Sequence, residues 1–215
     1  PTGSQDPYAL RRQALGILNI LSDGNVHFPL GKILEVTLKN LPVEVENLAK
    51  LIDSVKDFFA QRAKNMLLDK GLRYDVVDAV LAVPVGDDLA NVFVQADDLT
   101  AYLEMPQAAD SIQAFTRVEN ISKNHEVENG VNAALFQDPA EKALWEVLQK
   151  VEVTTVPLEA ACAFKKVLEA NDVLAAPVNA FFDAVMVMDK DEAVKNNRLA
   201  LMQEVKRQVN QTAAS

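Results

Sequence analysis

Residues 45–70 read VENLAKLIDSVKDFFAQRAKNMLLDK, and the spacing of their apolar side chains decides the fold class. Leu48, Leu51, Ile52, Val55, Phe58 and Phe59 recur at intervals that place them on one side of an α-helix. The pattern predicts a long helix over 45–70. Gly71 is its natural terminator, because helices commonly close on a left-handed residue and glycine adopts that backbone without a Cβ penalty.

Working outward, the same periodicity repeats. Upstream, Asp6-Pro7 supplies a cap and a first-turn proline for a stripe through Leu10, Leu15, Leu18 and Leu21, which stops at Ser22-Asp23-Gly24. A shorter helix is predicted at 30–41, ended by Pro42. Downstream, Asp75 caps the segment Val76-Val77-Asp78-Ala79-Val80-Leu81, with Asp78 in the positive first turn and Pro84 closing it. Further helices are predicted at 87–104, 106–124, 138–150, 157–170, 173–188 and 189–211, with breaks at Pro106, Asn129-Gly130, Asp138-Pro139, Pro157 and Pro177. The β-branched run 151–156 stands alone and one such run cannot build a sheet. An all-α helical bundle is therefore expected, in two parts: a helical region over 1–70 and a second bundle over 71–215. There is no internal repeat, low-complexity tract or sustained heptad seam.

A chain of 215 residues, 49 % hydrophobic and 24 % charged, suits one or two small domains with a proper core. Seven glycines are few, which favours long helices. No apolar run approaches the roughly 20 residues needed to cross a bilayer. The polar opening lacks the basic region of a signal peptide. It also lacks a methionine and reads as loop, so the chain is expected to be a segment of something longer. The single cysteine, Cys162, excludes an internal disulfide and fits a reducing cytoplasm. A formal charge of −10 argues against a nonspecific grip on nucleic acid, since phosphate binding needs local Lys and Arg. It leaves room for a small basic patch.

Catalytic chemistry is not legible in the chain. His27 and His125 have no metal-ligand spacing beside them, and the glycines are scattered singly rather than forming a phosphate cradle. Asp87-Asp88 and Asp97-Asp98 are adjacent pairs that read as solvated turns or helix starts. Cys162 shares a helical apolar pattern with Leu158, Ala161 and Phe164, which predicts a buried packing cysteine. Trp145, Met186 and Met188 are likewise expected in the core. No catalytic residue, metal ligand or cofactor is expected here.

Four phrases in order carry a family resemblance. The opening PTGSQDPYALRRQALG (residues 1–16) is similar to PTGSxDPxALRRxALG. Phe58-Phe59 and the run GLRYDVVDAVLA (71–82) are similar to FFxxR…GxRYDVxDAVLA. Phe115-Thr116-Arg117-Val118-Glu119-Asn120-Ile121 resembles KRVxNI. PVNAFFDAVMVM (177–188), followed by Asn197-Arg198-Leu199-Ala200-Leu201, resembles PVxxFFDxVMVM…NRLALL. Together they resemble the C-terminal part of the β subunit of bacterial two-subunit glycyl-tRNA synthetase over nearly the whole chain. The resemblance implies an α2β2 ligase that joins glycine to its tRNA with ATP in the α subunit, outside this segment. It implies that 71–215 is a DALR-type anticodon-binding bundle like that of arginyl-tRNA synthetase, and 1–70 a region following an HD domain. The implied partners are a glycine tRNA, the α subunit and the rest of β. The segment alone is expected to be inactive.

On the helix predicted over 106–124, 100° steps put Ile112, Phe115, Val118 and Ile121 on one apolar side. Gln113, Arg117, Asn120 and Asn124 fall opposite, with Lys123 beside them, on a face rich in donors and free of acids. Such a face suits RNA, because arginine binds phosphate or stacks on a base and asparagine pairs with a base edge. Glycine anticodons end in two cytosines, so Asn120 could accept from N4 while Arg117 donates to O2 or N3. An ordinary solvated face is the alternative. Arg73 and Tyr74 could clamp a loop nucleotide, or be a surface arginine and a staple tyrosine. Arg198 falls inside the apolar stripe of Val194, Leu201, Val205 and Val209, so a buried ion pair is expected, with Asp183 as the candidate partner. Lys195, Lys206 and Arg207 lie off that stripe, free for phosphate or simply solvated. Arg11-Arg12 could meet RNA or the neighbouring domain. A rival reading makes the segment a helical scaffold for the other parts of the synthetase. It predicts exposed apolar patches in the first seventy residues and a neutral or acidic Arg117 face.

Overall fold

The computed structural model describes residues 8–24, 26–27, 29–40, 42, 46–82 and 88–211. The sequence features at Asp6-Pro7, Pro84 and Asp87 lie outside them. Among the described residues the fold is all helix, without strands. The α-helices are α1 (Leu10–Gly24), α2 (Leu30–Lys39), α3 (Leu48–Asp69), α4 (Tyr74–Ala82), α5 (Leu89–Leu103), α6 (Ala108–Ser122), α7 (Pro139–Ala160), α8 (Phe164–Asn171), α9 (Ala175–Ala184) and α10 (Glu192–Gln211). Single 3-10 turns precede α7 at Ala133–Leu135 and α9 at Asp172–Leu174.

The chain divides into two compact units, Pro1–Thr100 and Ala101–Ser215. From the sequence alone the division is expected near Gly71. The difference has a packing cause: Val77 and Val80 of α4 and Leu89, Val92, Phe93 and Ala96 of α5 share one core with Leu18, Leu21, Phe59, Ala63 and Leu67. In this unit α1, α2 and α4 each pack on α3. Gly71 closes α3 with φ +88, while its N–H and that of Leu72 donate to Leu68 and Leu67 carbonyls at 2.9 and 3.1 Å. That is the Schellman closure a glycine permits. Ile20 is 63 % exposed on α1, and Ile33 and Val36 are exposed on α2.

The second unit has its own core of Ala114, Val118, Leu144, Leu148, Val151, Leu174, Val178, Phe181, Leu201, Met202 and Val205. Helix α10 packs on α6, α7 and α8, and α9 bridges α6 and α7. Helix α7 begins with a capping box: Asp138 accepts from Ala140 N–H at 2.8 Å, and Glu141 Oε2 accepts from the Asp138 and Gln137 N–H groups at 2.8 and 2.7 Å.

Three expectations are corrected in this unit. Helix α7 does not stop at 150 but runs through 151–156 and past Pro157 to Ala160. Val151 and Thr155 are buried, so packing holds the β-branched run helical, and the carbonyl that Pro157 cannot reach belongs to solvent-facing Val153. Cys162 is exposed rather than packed. It takes φ +52 and closes α7, with its N–H donating to Glu159 and that of Ala163 to Leu158, both at 2.9 Å, which is the role glycine has after α3. Met186 (74 % exposed) and Met188 lie outside the core, because α9 ends at Ala184 and the chain turns extended at Val185 (φ −127, ψ 147). Side chains then alternate, and Val187 alone of these three points inward.

Tyr102, buried at the end of α5, donates to Asp172 Oδ1, which also accepts from Ser111 at 2.6 Å. Burial, and then the bond to Asp172, push the phenol well above its ordinary value of 10.0. A raised folded-state value means the contribution is complete below pH about 10 and lost as pH rises beyond it. Urea midpoints between pH 8 and 11 should therefore fall faster for the wild type than for Tyr102→Phe.

Candidate nucleic-acid interface

Helix α6 presents the face read from the sequence. Ala108, Ser111, Ala114, Val118 and Ser122 form its buried stripe; Phe115 and Ile121 are half-buried, and Ile112 is exposed instead of packed. On the other side Gln113 and Asn120 are exposed, and so are Lys123 and Asn124 just beyond the helix end.

Arg117 is neither sequestered nor loose. Its side chain is 40 % exposed. Nη1 donates to Asn179 Oδ1 at 2.9 Å, and the guanidinium carbon lies 4.5 Å from the centroid of the Phe182 ring, a cation–π contact. Both partners come from α9, whose Phe181 is fully buried and meets Phe182 edge to face at 5.6 Å. Burial of Phe181 thus helps to place its neighbour, whose ring lies against the guanidinium. Asn179 and Phe182 were not singled out from the sequence. Their signal was the PVNAFFDAVMVM phrase, whose packing against α6 needs the tertiary fold.

Acid reaches this face from α9. Asp183 Oδ1 lies 4.0 Å from Arg117 Nη2, and the carboxylate side chain is 78 % exposed. Asp183 is therefore beside Arg117, and the expected pair with Arg198 is corrected. Arg198 is 5 % exposed; its Nε donates to Glu141 Oε1 at 2.8 Å, and its Nη1 donates to Asp189 Oδ2 at 2.9 Å and the Met186 carbonyl at 2.8 Å. The sequence overlooked Glu141 because the capping box gives it a local role, yet only one of its oxygens is used there. The Asp189 carboxyl is held below the usual carboxylate range, chiefly by the Asp191 backbone N–H and further by Arg198.

The remaining cations are mostly engaged. Lys206 pairs with Glu119 at 3.1 Å, Lys195 with Glu192 at 2.7 Å, and Arg207 with Glu152 at 3.2 Å and with Glu204. In the first unit Arg73 pairs with Asp75. Its neighbour Tyr74 is 61 % exposed, with Lys64 Nζ 4.6 Å from the ring centroid. That pair with Asp75 holds the Arg73 value above its ordinary one and the Asp75 carboxyl below. Among the described residues no cluster of His, Cys, Asp or Glu could hold a metal ion, and no helix is long and apolar enough to cross a membrane.

Comparison with known proteins places this geometry in context. Residues 1–82 match the family model described as glycyl-tRNA synthetase beta subunit, and residues 111–214 match the DALR anticodon binding domain. The glycine–tRNA ligase beta subunit of Desulforamulus reducens is 40 % identical over 208 residues, which cover 95 % of this chain and 30 % of that protein. That of Clostridioides difficile is 38 % identical over 205 residues (95 % and 30 %), and that of Methylobacillus flagellatus 39 % over 215 (99 % and 30 %). The chain thus spans about 30 % of the length of these relatives. With two family models in tandem and relatives that match 95–99 % of this chain's length, the chain belongs to the glycyl-tRNA synthetase beta-subunit family and contains a DALR anticodon binding domain.

Proposed function

We propose that the second unit binds the anticodon loop of a glycine tRNA, as the RNA-reading part of the β subunit of glycine–tRNA ligase. The observation that carries this reading is Arg117: a half-exposed cation held by Asn179 and Phe182 on a face it shares with Gln113, Asn120, Lys123 and Asn124. A preorganised arginine loses little freedom when it meets RNA, and amides beside it can pair with base edges. With a chain charge of −10, affinity has to come from this local patch rather than from the net field. Adenylate formation, with its ATP and glycine, belongs in this reading to the α subunit, and the segment has no catalytic centre or cofactor of its own. The complete enzyme is a cytoplasmic α2β2 assembly. The exposed Ile20, Ile33 and Val36 favour a second role for the first unit, contact with the rest of that assembly.

The test is the double variant Arg117→Ala/Asn120→Ala in a complete enzyme. Loss of one charge-assisted and one neutral hydrogen bond, together about 2–4 kcal/mol, should raise the KM for glycine tRNA about 30-fold or more. The thermal midpoint should stay within a few degrees. Unchanged tRNA kinetics would rule this face out. Footprinting supplies the complement: protection of the anticodon loop should vanish when 111–214 is deleted.

A further inference from the structure

Arg117 and Asp183 present a donor and an acceptor side by side. Nη2 and Oδ1 stand 4.0 Å apart, beyond hydrogen-bonding range, so neither group satisfies the other. Their separation is of the order of that between the outer polar groups on the pairing edge of a pyrimidine. The two differ in how they are held. Arg117 is fixed by Asn179 and Phe182, whereas Asp183 is 78 % exposed in the last turn of α9. A carboxylate there faces the negative end of the helix macrodipole, a position that costs stability instead of adding to it. Its position in the helix therefore does not account for its presence.

We propose that Asp183 is a specificity-determining residue that reads one cytosine of an unpaired loop together with Arg117. A carboxylate oxygen of Asp183 accepts from the N4 amino group, while Arg117 donates to O2 or N3. This rests on the reading of the α6–α9 face as the anticodon site, and it reassigns the N4 acceptor from Asn120 to Asp183. Uracil places a carbonyl where cytosine carries N4 and a hydrogen on N3, so its O4 would face the Asp183 carboxylate acceptor to acceptor and be repelled, and its N3 could no longer accept from Arg117. Cytosine is the base that glycine anticodons supply at their last two positions.

The experiment uses the complete enzyme with variants in the full β subunit, and glycine tRNA transcripts in which each of the two cytosines is changed singly to uracil. In the wild type, kcat/KM should fall about 10- to 100-fold for the cytosine that is read here. Asp183→Ala should shrink that penalty to about threefold or less and leave the penalty at the other cytosine unchanged. Asp183→Asn, whose amide can face either base, should do the same. Both variants should melt at or above the wild-type temperature, which separates lost reading from lost folding. Unchanged penalties in Asp183→Ala, while Arg117→Ala still raises the tRNA KM, would overturn the role of Asp183 and leave the interface standing. A uniform gain on every transcript would also overturn it, reducing Asp183 to an electrostatic brake. If Arg117→Ala changes nothing either, the interface itself is wrong.

Discussion

Replacing Glu141 by leucine should destabilise the second unit by about 3–5 kcal/mol, read from equilibrium urea unfolding. Glu141 is fully buried and serves three donors: Arg198 Nε through one oxygen, and the Gln137 and Asp138 N–H groups through the other. Leucine fills the space but strands two backbone donors and leaves the buried guanidinium with only Asp189 for charge. The surface pairs Lys142–Glu146 (3.8 Å) and Lys165–Glu169 (3.9 Å) should contribute under about 0.5 kcal/mol each, since water screens them. Arg198→Met should cost a similar amount to Glu141→Leu, because it strands the carboxylate instead. The double variant should cost clearly less than the sum, since no buried charge is then left unpaired. Strict additivity in that cycle would mean that the two side chains do not depend on each other.

The same pair shows what could and could not be read in advance. That Arg198 must be buried and paired follows from its place in an apolar stripe, a local property of one helix. Which carboxylate meets it does not, because Glu141 is fifty-seven positions away in the chain and its capping box already accounts for it. Helix positions were legible wherever apolar period and glycine agreed, as over 45–70. They failed where tertiary packing overrode a local breaker. Proline ends a helix when nothing compensates, but at Pro157 the preceding turns are held by buried Val151 and Thr155. Left-handed closure is expected of glycine, and Cys162 supplies it instead. Arg117, Asn120 and their neighbours were legible as an exposed face because α6 is amphipathic. The carboxylate and the aromatic ring beside Arg117 were not, because they arrive from a helix some sixty positions later. Lys206 and Arg207 looked equally available, yet cross-helix carboxylates on α6 and α7 engage them.

Phe181 and Phe182 are adjacent in sequence but divide stability from recognition, so their alanine variants should part ways. Phe181 is fully buried between helices, and truncation should remove its transfer energy and leave a cavity, at about 3–5 kcal/mol. For a unit of this size that is a loss of roughly 10 °C or more in thermal midpoint. Phe182 is half-buried, and its ring underlies the Arg117 guanidinium, so truncation should cost less than half as much. It frees Arg117 on one face while the bond to Asn179 remains. The arginine then has to be ordered at the moment of RNA binding, at about 0.5–1.5 kcal/mol for a side chain rich in rotamers, and the cation–π contact is lost as well. Phe182→Ala should therefore weaken tRNA binding about five- to tenfold in a protein that still melts near the wild type. Phe182→Leu restores apolar bulk but no π face. It should recover stability without recovering affinity, an outcome that a purely structural ring could not produce.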